Sequence, residues 1–164
     1  MTDNTTAFTA DERQAMRERA KELKNKDDKI AAEADVMLKI EQMDASDRAM
    51  ALTVHELVKT HAPDLDAKTW YGMPAWGHNG KTILFFQSAG KFKVRFATLG
   101  FSEHASLDES GMWPTSYALT KIDNMAQARI VELIKRGNWA TLNSVSLNSK
   151  INFEATQALQ LASK

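Results

Sequence analysis

The chain has 164 residues and a formal net charge of zero at neutral pH, with 43% hydrophobic and 26% charged residues. That is about one domain's worth of a globular composition, which excludes collagen-like and disordered classes. No apolar run exceeds Ile83-Leu84-Phe85-Phe86 in length, against the ~18 residues of a membrane-spanning helix.

Cysteine is absent, which removes disulfides, thiolate catalysis and cysteine zinc sites and fits a reducing cytoplasm. Met1 to Thr6 lack the basic stretch and apolar core of a signal peptide, so the expected location is cytoplasmic, with no membrane partner. Neutrality hides an asymmetry: residues 1–66 carry 15 acidic and 10 basic side chains, residues 67–164 carry 6 and 11. A basic half could serve a nucleic acid, but an acidic helical half packed on a mildly basic sheet half accounts for it with less. Nucleic acid is therefore not the expected partner.

Residues 1–8 read as a disordered N-terminus. Thr9 and Glu12 have the spacing of a capping box, opening a charged helix over 9–29. Of the 19 residues from Asp11 to Lys29, 13 are charged, and Met16, Ala20 and Leu23 give only a thin apolar stripe. A second helix is expected from Ala31 to Met43. A third, capped by Ser46, runs to His61 on a face of Met50, Val54, Leu57 and Val58, and Pro63 stops it.

From Lys68 the period changes to that of strands. Lys68 to Tyr71 is a short strand, and Gly72-Met73-Pro74 is expected to break it and turn Tyr71 and Trp76 toward one cavity. Asn79-Gly80 signals a hairpin leading into a strand over Lys81 to Ser88. After a tight turn at Ala89-Gly90, residues Lys91 to Leu99 alternate Phe92, Val94 and Phe96 with Lys91, Lys93 and Arg95, which predicts another strand. Gly100 to Thr115 is a long loop and so a functional candidate. A strand over Ser116 to Ile122 follows, then a helix from Met125 to Arg136 capped by Asp123 or Asn124, with Gly137 at its end. Residues 138–164 are an Asn, Ser and Thr-rich extension with one short amphipathic stretch around Phe153, Ala158 and Leu161.

The four histidines (55, 61, 78 and 104) have no i,i+3 or i,i+4 spacing, so a zinc site would need long-range convergence. Acidic residues are dense enough in the first half for an oxygen-ligand iron site, with Glu33, Asp35 and Glu41 as the alternative metal set, although such residues ordinarily solvate helices. There is no Gly-x-Ser-x-Gly elbow and no phosphate-binding glycine loop, and no catalytic residue is assigned. A weaker enzymatic reading would use His104 with Glu103 and Asp108 in the long loop. Aromatic residues are more informative: 10 of the 13 lie between Trp70 and Tyr117. Alternation cannot bury them all on one side, so either both sheet faces are covered or a second aromatic surface lines a pocket or an interface.

At Trp70-Tyr71-Gly72-Met73-Pro74-Ala75-Trp76 the chain resembles the YdhG-like family of small bacterial domains of unknown function. The likeness continues through Gly80-Lys81, Phe85 to Ala89, Lys91 to Phe101 and Met112 to Leu119, covering roughly residues 30 to 136. The motif positions are Tyr71, Gly72, Met73, Pro74, Lys91, Trp113 and Pro114. The resemblance implies an α+β fold, an antiparallel sheet against helices, and no particular reaction. One branch of that family has been proposed as a frataxin-like iron chaperone.

Together these readings predict an α+β domain over residues 9–137, with a sheet of about four to five antiparallel strands, extra N-terminal helices and an atypical extension. The expected function is non-catalytic binding of a small ligand or protein partner through Tyr71, Met73, Trp76, Lys91, Arg95 and Trp113. Trp113 is expected to be mostly buried, near Tyr71 and Phe96 or across a homodimer interface. Iron is the alternative cofactor.

Overall fold

The computed structural model describes residues 10–24 and 28–138. Among these residues, five helices and five strands follow the order α1 (Ala10–Lys24), α2 (Lys29–Glu41), α3 (Ala45–His61), β1 (Asp66–Trp70), β2 (Met73–His78), β3 (Lys81–Gln87), α4 (Ala89–Phe92), β4 (Ala97–Phe101), β5 (Ser116–Leu119) and α5 (Asn124–Gly137). The strands form one antiparallel meander in sequence order, so the expected α+β architecture with a sheet packed on helices is observed. The Thr9 half of the capping box, residues 1–8 and all of the C-terminal extension beyond Asn138 lie outside the described residues. Lys29, expected to end the first helix, instead begins α2, where the Asp28 carboxylate accepts from the amides of Ile30 and Ala31. At α5 the Asp123 carboxylate caps by accepting from the Ala126 amide, as the sequence suggests. That bond is the first reason its carboxyl sits below the usual aspartate value.

Strand register separates the two sheet faces. Pairs Ala67↔Trp76, Trp76↔Leu84, Leu84↔Phe101, Phe86↔Leu99, Leu99↔Tyr117 and Ala97↔Leu119 put one set of side chains on a common side. Trp76, Leu84, Phe86, Ala97, Leu99, Phe101 and Leu119 are buried there with Val54 and Val58 of α3 and Ile130, Leu133 and Ile134 of α5. Helix α2 runs beside edge strand β1 and sends Val36 and Ile40 into the same core. Burying these apolar surfaces at roughly 25 cal/mol per Å² is the main force holding the layers together.

Two segments differ from the sequence reading. The strand expected over Lys91 to Leu99 begins only at Ala97; residues 89–92 form a single helical turn ended by Lys93 in the left-handed region. Phe92 and Val94 are 40% and 46% exposed. A non-local contact fits this departure: the buried Asp47 carboxylate on α3 accepts from the Gly90 amide at 2.9 Å, which holds the connection against the helix layer. The break after the first strand is not a kink at Gly72-Met73-Pro74. Tyr71 and Gly72 both have positive φ (51° and 70°) and close a two-residue hairpin between Trp70 and Met73.

Candidate functional site

On the sheet face away from the core, register places Trp70, Met73, Ala75, Phe85 and Gly100 together. Trp70 and Phe85 have centroids 5.0 Å apart, and Tyr71 meets Trp70 edge-on at 5.0 Å. Met73 and Ala75 are buried on this face. Gly100 is required here, because a Cβ at that position would run into the Phe85 ring. The result is a short aromatic row, Trp70 and Phe85, within a patch that spans four strands and is edged at Tyr71 by the Arg19 guanidinium 5.7 Å from the ring. Phe85 and Phe86 do point apart, as alternation demands: Phe86 belongs to the core and Phe85 to this second aromatic surface.

Beside Trp70 the face deepens into a cavity of about 370 Å³ walled by β1, β3, α1, α2 and the start of the β4–β5 loop. Its lining combines Trp70 with the cations of Arg19, Lys29, Lys68 and Lys81, the carboxylates of Asp35, Asp66 and Glu103, and His104. Several of these groups are already positioned. Lys29 pairs with Asp66 at 2.8 Å, and the Lys68 ammonium donates to the Gly80 carbonyl at 3.0 Å. The Ser102 hydroxyl donates to the Thr82 carbonyl and accepts from the His104 amide. His104 Nε2 stands 3.7 Å from Glu103 Oε1. The cavity thus offers one flat ring within a lining of mostly charged and hydrogen-bonding groups, more polar than the largely apolar lining common among small-molecule sites.

The residues expected to form one pocket are dispersed. Tyr71 is 64% exposed on the hairpin turn, whereas Trp76 is 1% exposed and faces the helices, its indole N–H donating to His55 Nδ1 at 3.3 Å. The expectation that these two rings share a cavity is therefore corrected: Tyr71 has left the strand, and Trp76 belongs to the core. Met73 lies buried beside Trp70. Lys91 donates to the Gly72 carbonyl at 3.0 Å, next to the hairpin but outside the aromatic row. Arg95 lies over its neighbour Phe96 at 5.2 Å. Trp113 is partly buried against the chain's own helix-side core, not over Tyr71. Its loop is anchored by buried Ala105 and Leu107 and by Arg136, which donates to the carbonyls of Leu107 and Asp108 and pairs with Glu109. Asp108 is therefore held toward α5, while His104 goes to the cavity with Glu103. Met112 is 86% exposed.

The alternative metal residues also separate. Glu33 is bound by Lys59 at 2.8 Å and by His55 at 3.4 Å. The Lys59 hydrogen bond comes first in holding its carboxyl below the usual value, against a smaller opposing effect of burial. Asp35 lines the cavity and Glu41 is exposed. Among the described residues no three side chains of metal-binding type gather at one point, and no helix is long and apolar enough to cross a membrane. Trp70, which the sequence reading grouped among the aromatics without assigning it to the site, is added by the geometry together with Arg19, Lys68, Lys81 and Ser102. Its signal was its place at the last position of a strand whose alternate residues, Asp66 and Lys68, are polar.

Comparison of the chain with family models, with curated proteins and with solved structures returned no match.

Proposed function

We propose that the chain is a cytoplasmic, YdhG-like binding domain whose open sheet face takes a small ligand with a flat ring and an acidic edge. The observation that carries this reading is the half-buried Trp70 ring in the wall of the 370 Å³ cavity, with Arg19, Lys68 and Lys81 around it. A ring stacked on Trp70 would cover apolar surface that the protein leaves open. The neighbouring cations would meet a carboxylate or similar group on the ring's rim, and Ser102 and His104 supply further polar contacts.

A titration with 2-naphthoate, a flat ring bearing one carboxylate, tests it. Saturable quenching of tryptophan emission is expected, lost in Trp70→Ala and weakened several-fold in Lys81→Ala. Equal binding by the wild type and Trp70→Ala would place the ligand elsewhere and remove the basis of this reading.

A further inference from the structure

A second cavity, of about 360 Å³, lies at the other side of the β1–β2 turn, where α1, α2 and α4 meet the Gly72 backbone. Two ammonium groups from different elements converge there on one carboxylate: Glu18 of α1 is 2.7 Å from Lys39 Nζ and 3.9 Å from Lys91 Nζ. The Glu18 and Lys39 side chains are 19% and 23% exposed. Burial alone would raise the Glu18 carboxyl, but the Lys39 and Lys91 cations overcome it and hold the group below its usual value. Gly72 permits the arrangement, since a Cβ there would strike both the Glu18 carboxylate and the Lys91 ammonium. The cluster is therefore built against bare backbone.

An independent observation points to a ligand. Ser88 is among the residues lining the same cavity; it is 2% exposed, and its buried hydroxyl has no hydrogen-bond partner among the described residues. Buried hydroxyls are ordinarily satisfied, so an orphan beside a polar cavity leaves a place for a partner that enters it. Helix α1, which supplies Glu18, is exposed at residues 12–14, 16, 17, 19 and 20, and its Met16 is 49% exposed.

We propose that Lys39, Lys91 and Ser88 form a binding site for a singly charged carboxylate, and that Glu18 fills it from α1 as a tethered competitor. Asp44 also lines the cavity, and its carboxylate stands against Gly90 beside the buried Asp47. These two negative charges repel a phosphate dianion more than a singly charged carboxylate. Tethering gives Glu18 a high effective concentration, so a free carboxylate binds the intact chain weakly and displaces α1 when it does. This site is separate from the cavity beside Trp70 and does not depend on it.

Chemical rescue tests the proposal. Propionate, whose three carbons match Cβ, Cγ and the carboxyl of the Glu18 side chain, is titrated into Glu18→Ala while the Gly72 and Gly90 amide resonances are followed. Saturable shifts are expected at least about tenfold tighter than in the wild type, lost in Glu18→Ala/Lys91→Ala and weakened in Glu18→Ala/Ser88→Ala. Equal binding to the wild type and Glu18→Ala, or inorganic phosphate binding as tightly as propionate, would overturn it. Should Glu18→Ala not fold, the wild type decides: saturating propionate is expected to speed hydrogen exchange across residues 12–20, and unchanged exchange would overturn the proposal.

Discussion

Trp76 shows how one side chain joins the sheet to the helices. Its indole N–H donates to His55 Nδ1, which fixes the ring proton on Nε2, facing Glu33 at 3.4 Å. Glu33 in turn accepts from Lys59 at 2.8 Å, so a chain of four groups runs from a fully buried indole to an exposed ammonium. A neutral histidine is required at its centre, because a protonated Nδ1 would point a second donor at the indole N–H. Replacing Trp76 by Phe keeps most of the ring volume but leaves Nδ1 buried without a donor. The expected loss is about 1–3 kcal/mol of unfolding free energy, read from urea denaturation. A change below a few tenths would mean that His55 finds another partner.

At the scale of elements, the parts legible in the sequence are those specified by neighbours along the chain. Helix α3 shows its apolar face and its Pro63 stop, Asn79-Gly80 forms the expected turn with both φ values positive, and Asp123 caps α5. Residues 91–96 depart from the expected strand for the opposite reason. Their apolar and basic alternation suits a strand, but Asp47 captures the Gly90 amide from 43 residues away, and periodicity carries no such information. The Tyr71-Gly72 turn was hidden because tyrosine seldom takes the left-handed region, so the sequence suggested a kink at Pro74 instead. That single change sent Tyr71 and Trp76 to different parts of the molecule and moved the candidate site to Trp70. The role given to Asp47 has a consequence that can be measured. Asp47→Ala leaves the Gly90 amide without its acceptor, with an expected cost of about 1–3 kcal/mol. Hydrogen exchange should speed up first at residues 89–94, ahead of the β3 and β4 strands; uniform protection across all three would show that the connection holds without this bond.

For the whole molecule, the shifted groups combine into a definite dependence of stability on pH. Burial comes first in pushing the His55 imidazole below its usual value, opposed by the Glu33 carboxylate and Glu56 and assisted by Lys59. The unfolded chain, with an ordinary histidine near pH ~6.5, then binds the proton more readily than the folded one. Stability therefore rises with pH across this window: the contribution is present above about pH 6.5 and is lost as the pH falls toward the folded value, with a slope of at most ~1.4 kcal/mol per pH unit for one proton. Glu18 and Glu33 are also lowered on folding, which has the same sign in a separate window. Their contribution is present above the ordinary glutamate value of about 4.3 and disappears below it. Urea denaturation across pH should show two successive losses on acidification. His55→Gln separates them, because its amide can accept from Trp76 and donate to Glu33 without titrating. The upper loss, which begins as the pH falls below about 6.5, should disappear in that variant while the lower one stays. An upper slope that survives the substitution would assign it to a group other than His55 and break the link between the neutral imidazole and the stability of the sheet–helix interface.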